Sequence, residues 1–487
     1  MSIKRNILII GAGPAGMSAA MELCRAGKDF LVVERSDRVG GLAKTYIIKE
    51  GGLEFRTDNG PHRFFSKNKY LYDFIEELLK EKWVLVRRQS RQFIGGKFYD
   101  YPINAKQALG NIGPKKSIRI LLDYLAAQVK YRILGKKIEN FEDYIIVNFG
   151  RTLGEFNMIN YTEKIWGIPA KEIHADWARQ RIKGLSLFSV LKDITCKTFP
   201  KKSSDTPKTL VDAFYFPEYG TGLIYETIKK QIEGNGYHIH TDTYPIKITH
   251  DGKKIISCNL TNKGIERVVA LDHLIESVPL VEFLNLLSPS PPRKIMDSMK
   301  SLRYRDQVYL FITLDKEYVT HDQWIYFPDK NIPFGRVSEM RNFSKKMSPE
   351  GKTSLFVEFF CFKGDHIWNL SKEQLFELSL PYFETMGFFN RNEVRNYYLF
   401  KQEGVYPIYD LQYKKYLSVV KEYLDGFENL YYIGRPGRFK YNNQDHSLEM
   451  GILAARSIIE GSRYNIEDIA SGSEYFEKGY VPKNRAV

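Results

Sequence analysis

The alternation of apolar and polar residues near the start of the chain predicts a strand, a helix and a second strand. Residues 6–10 (NILII) form a short apolar run that ends at Gly11, and a second apolar run covers 30–33. Between them, apolar residues recur at helical spacing as far as Arg25. This order is typical of a βαβ unit, in which a crossover helix joins two parallel strands.

Beyond this unit the pattern changes several times along the chain. Segments with helical spacing and segments with strand-like alternation follow one another, separated by turn residues. The predicted elements are a helix over 73–81, a hairpin over 92–101, mostly helical structure over 104–200, strands within 212–280, 303–315 and 353–361, a strand over 430–433, a loop over 434–446 and a helix over 447–460. There is no internal repeat and no low-complexity linker, so we expect interwoven domains.

Length and composition indicate a globular protein with more than one core. The chain has 487 residues, of which 43% are hydrophobic and 27% charged, enough for two or three packed modules. The formal charge of +14 suits an anionic ligand, a nucleic acid or an acidic membrane surface. Because the basic residues are scattered and no zinc-finger or RNA-recognition signature occurs, we expect a small anionic substrate and no nucleic acid.

The cysteines and the apolar segments bear on the cellular compartment. The four cysteines are far apart and show no CxxC spacing, which argues against a metal site or a disulfide framework. The segment MSIKRN runs directly into a strand, and no stretch of about 20 apolar residues occurs. We therefore expect a cytoplasmic protein, with the inner membrane surface as the alternative location.

One basic and apolar segment is the reason for that alternative. Residues 115–137 (KKSIRILLDYLAAQVKYRILGKK) place apolar residues at helical spacing and basic residues at both ends. A helix of this kind can dock weakly on a membrane surface. The other interpretation, which is commoner, is a helix packed on the body of the protein with a solvated basic face.

The turn after the first strand has the spacing of a dinucleotide-binding site. Gly11, Gly13 and Gly16 form GxGxxG, in which the glycines permit a tight turn, close approach of a pyrophosphate and close helix packing. Glu34 ends the second strand, 23 residues after Gly11, where it can accept hydrogen bonds from a ribose. The alternative is a glycine-rich turn of another α/β protein with a coincidental acid downstream.

Two further segments extend this predicted pocket. After Glu34, Gly40 and Gly41 let the backbone pass close to a cofactor and Thr45 can donate to a phosphate, an extension that resembles that of FAD-binding proteins of the amine oxidase type. Late in the chain, a helix predicted to begin near Ser447 would stabilise the negative charge of a reduced flavin by about 0.3–2 kcal/mol. The expected cofactor-binding residues are Gly11, Gly13, Pro14, Ala15, Gly16, Glu34, Arg35, Gly40, Gly41, Leu42, Thr45, Gly434, Asp445, His446 and Ser447.

Several motifs resemble the FAD-dependent amine oxidase and protoporphyrinogen oxidase-like superfamily, and within it the branch of the UDP-galactopyranose mutases. The resemblance covers most of the chain. Its motifs are Gly60-Pro61-His62, GKFYDYPIN at 96–104, YTEKIWG at 161–167, IPFGRVSE at 332–339, VYPIYD at 405–410 and the segment from Gly434 to Ser447.

The resemblance implies an α/β fold with a Rossmann-type FAD-binding domain, a helical insertion and a second domain that binds the substrate on a mixed β-sheet. The expected division is a discontinuous FAD-binding domain over 1–100, 205–290 and 425–465, a helical insertion over 101–204, a sheet-bearing substrate domain over 291–424 and a C-terminal tail over 466–487.

The resemblance also assigns roles to single residues. His62 and Arg435 are expected at the cofactor, and the expected substrate-site residues are His62, Arg181, Arg336, Tyr406, Arg435, Tyr441 and Trp166. Among these, Arg181 and Arg336 would clamp a diphosphate with forked donors. Ordinary alternatives stay open: a turn histidine for His62, plain core for Trp166, and for Glu358 a strand carboxylate paired with a neighbouring arginine.

Three functions are compatible with these residues. The resemblance implies a mutase that exchanges the pyranose and furanose forms of a UDP-sugar through N5 of reduced FAD, with NAD(P)H as a candidate external reductant. The broader superfamily implies instead an oxidoreductase that passes hydride from its substrate to the flavin. The third is a flavin-holding scaffold without catalysis. No metal is expected, and the sequence does not indicate an oligomeric state.

Overall fold

The structure is a computed structural model that describes residues 2–64, 66, 68–101, 111–181 and 213–469. The strands of these ranges are β1 (Ser2–Ile10), β2 (Phe30–Val33), β3 (Thr45–Glu50), β4 (Leu53–Asp58), β5 (Trp83–Arg87), β6 (Ser90–Ile94), β7 (Lys97–Asp100), β8 (Ala213–Pro217), β9 (Ile239–His240), β10 (Thr243–His250), β11 (Ile255–Asn262), β12 (Ile265–Glu276), β13 (Leu287–Ser288), β14 (Tyr304–Leu314), β15 (Trp324–Tyr326), β16 (Arg336–Glu339), β17 (Thr353–Cys361), β18 (Val394–Pro407) and β19 (Leu430–Tyr432).

The α-helices of the same ranges connect and cover these strands. They are α1 (Pro14–Arg25), α2 (Lys69–Leu79), α3 (Pro114–Gln128), α4 (Phe141–Phe149), α5 (Arg151–Gly154), α6 (Asn160–Trp166), α7 (Asp176–Arg181), α8 (Gly222–Gly234), α9 (Leu280–Leu286), α10 (Arg293–Lys300), α11 (His366–Asn369), α12 (Lys372–Thr385), α13 (Tyr413–Asp425), α14 (Gly434–Gly437) and α15 (Gln444–Glu460).

The first sheet is built around β1, the apolar run that opens the chain. β1 pairs in parallel with β2 on one side and with β12 on the other, and β12 also pairs in parallel with β19. β10 and β11 extend the sheet through antiparallel pairs, giving the order β13-β10-β11-β12-β1-β2-β9. The carboxyl ends of β1, β2, β12 and β19 therefore meet at one edge, where open α/β sheets bind ligands.

The second sheet has the order β18-β14-β17-β16-β15-β6-β7 and is antiparallel except for the parallel pair β15–β6. Every residue of β17 is buried, as is every residue of β14 after Tyr304. Apolar clusters cover both faces of these strands. Polar side chains on the central strands are therefore held in a closed interior, where they must find partners. The mixed α/β fold with more than one sheet agrees with the predicted fold class.

The predicted βαβ unit and the hairpin around Gly95 and Gly96 are confirmed. The hairpin strands β6 and β7 join the second sheet through β15 rather than pairing with β1. The domain division stays a prediction. It places the hairpin in the FAD-binding domain, whereas the hairpin strands pair with the second sheet. Mostly helical structure is also found over 111–181; the rest of the predicted helical stretch, 104–110 and 182–200, lies outside the described residues.

Three elements differ from the sequence prediction. The strand prediction over 212–280 is wrong at α8, where Ile224, Ile228 and Ile232 recur at helical spacing and are fully buried. The helix expected from Ser447 begins earlier, at Gln444, because Nδ1 of His446 accepts from the Asn443 N–H in the first turn. Ile466 and Ile469 lie in the predicted C-terminal tail, yet both are buried in the apolar cluster that contains β1 and α1.

Candidate functional site

The turn between β1 and α1 forms an open backbone cradle. Gly11 has φ of +95°, and its N–H donates to the Val33 carbonyl at 2.8 Å. A Cβ on Gly16 would lie 1.9 Å from the Gly11 carbonyl oxygen, so no larger residue fits there. Among the described residues no side chain caps α1, which begins at Pro14. Its first N–H groups are therefore available to an anion.

The glycine pair at 40–41 packs directly against this cradle. The Gly40 N–H donates to the Ala12 carbonyl at 2.8 Å, and a Cβ on Gly41 would lie 3.0 Å from Cα of Gly13. The two backbone segments therefore touch, which agrees with the close approach inferred from the sequence. Leu42, which follows, is partly buried against the core.

Glu34 is fixed at the end of β2 by two backbone donors. Its Oε2 accepts from the Ala12 N–H and its Oε1 from the Ser36 N–H, both at 2.8 Å. Each carboxylate oxygen keeps a further lone pair, so a pair of ribose hydroxyls can still bind. The neighbouring Arg35 is exposed and pairs with Glu282 at 3.4 Å. The cofactor contacts predicted for both residues stay predictions.

The late segment reaches the same cradle through the crossing of α1 and α15. A Cβ on Gly451 would lie 2.0 Å from the Ala15 carbonyl oxygen, and the Ser18 hydroxyl donates to the Leu448 carbonyl at 2.8 Å. A Cβ on Gly434 would lie 3.3 Å from Cβ of Ala15. The helices therefore cross within about two turns of both N-termini, and Gly434 packs beside Ala15, next to the glycine turn.

The segment from Asp58 to His62 joins the cradle to the second sheet. Oδ1 of Asp58 accepts from the Thr45 hydroxyl at 2.5 Å, and its two oxygens accept from the Thr221 N–H at 3.0 and 3.2 Å. Burial raises the pKa of Asp58 to about 7. The Thr45 hydroxyl thus already has a partner in this structure, and the phosphate contact predicted for it stays a prediction.

Arg336 and Glu358 form a buried ion pair beside this segment. Nε of Arg336 donates to Oε1 of Glu358 at 2.5 Å and Nη2 donates to Oε2 at 2.6 Å, across the β16–β17 register. Glu358 is fully buried, and the Arg336 side chain is 16% exposed. A Cβ on Gly60, at φ of +113°, would lie 3.4 Å from Nη2 of Arg336. The pairing considered for Glu358 is confirmed.

His62, Arg435, Tyr406 and Tyr441 lie together next to this ion pair. The Tyr406 and Tyr441 rings stack 5.3 Å apart, and the Arg435 guanidinium carbon lies 5.3 and 4.8 Å from their centroids. Burial, and the nearby charges of Arg435 and Arg336, lower the pKa of His62 to about 3. His62 is therefore neutral at physiological pH, and the charges of both arginines act on its imidazole ring. Nε of Arg435 donates to the Asn442 carbonyl at 3.0 Å.

Trp166 lies behind the two stacked tyrosines and is closed to solvent. Its ring centroid is 6.3 Å from that of Tyr406 and 6.2 Å from that of Tyr441, and the Trp177 ring meets it edge-on at 4.7 Å. Within the described residues its Nε1 has no hydrogen-bond partner. This placement fits the plain-core alternative, and a position beside the substrate stays a prediction.

Two residues of the YTEKIWG motif belong to the site although the sequence analysis did not select them. Tyr161 is partly buried near Arg336 and meets the Tyr326 ring edge-on at 5.3 Å; desolvation raises its pKa well above the ordinary value. Nζ of Lys164 donates to four carbonyl oxygens of the loop over 327–334, at 2.6 to 3.2 Å. Lys164 thereby fixes the loop that leads into Arg336.

The diphosphate role predicted for Arg181 falls outside what the structure describes. α7 ends at this residue, and its side chain lies outside the described part of the chain. Of the predicted clamp, only Arg336 is therefore placed.

Comparison with known families identifies the class of protein to which this site belongs. A family model described as flavin containing amine oxidoreductase matches residues 14–435, from the first residue of α1 to Arg435. The chain belongs to this family. The resemblance inferred from the motifs is confirmed, and this flavin-dependent family implies FAD as the cofactor.

The relatives of this chain differ in activity. An L-amino-acid oxidase from Bungarus fasciatus is 21% identical over 374 residues, which make up 69% of this chain and 65% of that enzyme. The crystal structure of reduced UDP-galactopyranose mutase superposes with a TM-score of 0.79 at 24% identity and covers 96% of both chains. Putrescine oxidase bound to putrescine gives a TM-score of 0.59 at 18% identity, covering 94% of this chain and 100% of its own. The two structures establish the fold.

The residues of the candidate site fit a flavin dinucleotide. Beside the cradle, several buried polar atoms have no partner within the described residues: Nδ2 and Oδ1 of Asn59, Nδ1 of His62 and the hydroxyls of Tyr215 and Thr221. Buried polar atoms are almost always hydrogen-bonded. A group of orphaned donors and acceptors here is expected where a polar ring system binds, and the uncapped α1 supplies N–H groups for its pyrophosphate.

Proposed function

We propose that this flavoenzyme interconverts the pyranose and furanose forms of a UDP-sugar, in a reaction that needs reduced FAD and causes no net oxidation. The observation that carries this proposal is the convergence of Arg336 and Arg435 on the neutral His62, with two tyrosines stacked against Arg435 and a third beside Arg336. Such donors suit a diphosphate: guanidinium groups balance its charge, and phenols can donate to its remaining oxygens.

Charge balance in the site favours an anionic ligand. Arg336 is neutralised by Glu358, but within the described residues no carboxylate lies within ion-pair distance of Arg435. Nη1 of Arg336 likewise has no partner in the described part of the chain. The site therefore keeps one unbalanced positive charge and free guanidinium donors, which a diphosphate would satisfy.

The protonation states suit binding and orientation rather than acid–base exchange. Burial raises the pKa of Tyr406 to about 12 and that of Tyr161 well above its ordinary value, so both phenols stay protonated donors at neutral pH. His62 stays neutral and can hydrogen-bond a flavin or a sugar hydroxyl. When bound and reduced, the flavin supplies the nucleophilic nitrogen for sugar transfer. The side chains hold the diphosphate and exclude water.

A second candidate is an oxidoreductase that passes hydride from an amine or amino acid to the flavin. It is favoured by the sequence relatives, which are L-amino-acid oxidases, and by the family itself. In this case Arg336 would bind the carboxylate group of an amino acid.

The test uses the FAD-loaded protein, oxidised and after anaerobic reduction with dithionite. We expect UDP and a UDP-hexopyranose to raise the melting temperature, because a ligand that binds only the folded state stabilises it. The reduced enzyme alone should form the UDP-furanose, detected by chromatography. A reduced protein that neither binds UDP nor converts any UDP-sugar excludes the mutase, and anaerobic bleaching of the oxidised flavin by an L-amino acid or a diamine would support the second candidate.

A matched pair of arginine variants separates binding from general destabilisation. Arg435→Gln removes the unbalanced charge and should weaken UDP binding about 10- to 100-fold, the usual value of a charge-assisted hydrogen bond. Arg463→Gln is the control, since Arg463 also lies over a tyrosine ring and donates to a backbone carbonyl, away from the site. The control should leave the UDP affinity unchanged.

A further inference from the structure

The helix α3 exposes a row of large aliphatic side chains to solvent. It continues from Gln128 into one π-helical turn, Val129–Ile133. The exposed aliphatic residues are Ile118 (61%), Leu121 (47%), Leu122 (60%), Leu125 (51%), Val129 (46%), Ile133 (75%) and Leu134 (75%). A contiguous apolar row of this size on a protein surface usually marks an interaction site.

These side chains share one face of the helix. Ile118, Leu122, Leu125 and Val129 follow one another at spacings of four, three and four residues, which is the repeat of a single helical stripe. The face towards the body of the protein is less apolar, since it buries Ile120, Ala127 and Tyr131. The outward face is therefore the more hydrophobic one, the reverse of an ordinary surface helix. The helix packs on the body with its basic residues exposed, as one of the two interpretations expected, but it exposes an apolar stripe as well.

Positive charge surrounds the exposed stripe. Between 114 and 138 the chain carries seven basic residues and one acidic residue. The acidic residue, Asp123, is engaged by the Thr152 N–H at 3.0 Å. The basic residues, all exposed, are Lys115, Lys116, Arg119, Lys130, Arg132, Lys136 and Lys137. Long basic side chains at both ends of an apolar stripe can extend towards anionic headgroups while the stripe enters the apolar layer.

We propose that the face of 115–134 docks on the surface of an anionic bilayer, with the helix lying in the plane of the headgroups. A second copy of this chain would bring two sets of the same basic residues together, and their repulsion opposes such a contact. An anionic membrane complements both the stripe and the charge. Among the described helices none is long and apolar enough to cross a bilayer, so the contact is peripheral. This proposal does not depend on the substrate of the flavin site.

The test is flotation of the FAD-loaded full chain with two kinds of vesicle: phosphatidylcholine alone, and phosphatidylcholine mixed with phosphatidylglycerol. We expect binding to the mixed vesicles and at least about tenfold weaker binding to the neutral ones, because each basic side chain near an anionic surface adds about fivefold to the partition coefficient. Raising the salt concentration should weaken the binding.

The variant Leu122→Ser/Leu125→Ser/Ile133→Ser should lower partition into the mixed vesicles about a thousandfold, because each of the three aliphatic side chains is worth about a factor of ten when buried. Its matched control changes three exposed aliphatic residues of the first sheet, Ile256→Ser/Ile265→Ser/Val268→Ser, which are 45%, 63% and 38% exposed, and should bind as the wild type does. Flavin absorbance and melting temperature verify that both variants fold.

Three results would overturn the proposal. The first is a wild type that does not float with anionic vesicles at low salt, and the second is a triple variant of the stripe that floats as well as its control. The third is a wild-type dimer in solution that the stripe variant dissolves, which would assign the face to a second copy. Light scattering without vesicles distinguishes the third result.

Discussion

Glu358 is the residue whose replacement most directly tests for an anion in the site. It is fully buried, accepts two hydrogen bonds from Arg336, and takes a third from Nε2 of Gln307 at 3.1 Å. Glu358→Gln removes the negative charge but keeps the size of the side chain and one carbonyl acceptor. The charge of Arg336 is then no longer balanced within the protein, which has opposite consequences for folding and for binding.

Folding stability should fall. Removing one partner of a buried ion pair costs about 3–5 kcal/mol, because the other charge stays buried without compensation. The retained acceptor places the expected loss at the lower end, about 3 kcal/mol. The free energy of unfolding of the FAD-loaded protein, from urea titration, measures this loss.

Affinity for UDP should rise. An anion on the far side of the Arg336 guanidinium would lie about 8 Å from the Glu358 carboxylate, since the charge centres in each contact are about 4 Å apart. At an effective dielectric constant of about 20, repulsion over that distance is about 2 kcal/mol. Calorimetry should therefore show UDP binding about 10- to 30-fold tighter in the variant. A cationic amine substrate would respond in the opposite sense.

Asp322→Asn is the control. Asp322 is also fully buried and pairs with Nη2 of Arg91 at 2.7 Å, at the parallel β15–β6 junction. It should lose similar stability with an unchanged UDP affinity. If Glu358→Gln binds UDP no more tightly than the wild type while the control behaves as expected, no diphosphate sits beside Arg336 and the proposed substrate class is wrong.

Three further changes test other parts of the structure in the FAD-loaded protein by urea unfolding. Gly451→Ala should lower the free energy of unfolding by about 1–3 kcal/mol and weaken flavin binding, because its Cβ would overlap the Ala15 carbonyl. The control Gly234→Ala, in open space, should raise the free energy of unfolding by up to about 1 kcal/mol; equal effects would contradict the tight crossing. Burial raises the pKa of Asp58 to about 7, so its contribution to stability, on the order of 4 kcal/mol, is complete below about pH 4 and is lost as the pH rises to about 7. Asp58→Asn should abolish that decline in stability, and an unchanged pH profile in the variant would refute this account. Desolvation and the arginine charges lower the pKa of His62 to about 3, so its contribution to stability is present above about pH 6.5 and is lost as the pH falls. His62→Gln should lose less stability than the wild type between pH 7 and pH 4, and parallel curves would show that the site does not lower the pKa of His62.

The parts of the structure that sequence reasoning predicted are the local ones. The GxGxxG turn needs residues without a side chain at three positions within six residues, and the glycines show this requirement directly in the sequence. The pairing of Glu358 with an arginine could be anticipated because a carboxylate inside an apolar strand needs a counter-ion. The helix α8 could also have been found, since its isoleucines recur every four residues.

The parts that escaped prediction depend on which segments meet. The hairpin at 90–100 pairs with β15, more than 220 residues later, and a local pattern does not encode that choice. Tyr161 lies in a recognised motif, but only its position beside Arg336 shows that it belongs to the site. The periodicity of 115–137 predicts an apolar face without saying whether that face turns inward or outward.

The order in which the first sheet is assembled has a consequence during protein synthesis. Ser2 of β1 pairs with Val268 of β12, 266 residues later, and the helix that closes the cradle, α15, begins only at Gln444. At roughly 5–20 residues per second, one edge of β1 waits roughly 13–50 s for its partner. During that interval the nascent chain carries an open, apolar strand edge, a template for aggregation. Flavin capture must therefore follow translation of nearly the whole chain, and ribosome-associated chaperones would be expected to shield β1 until then.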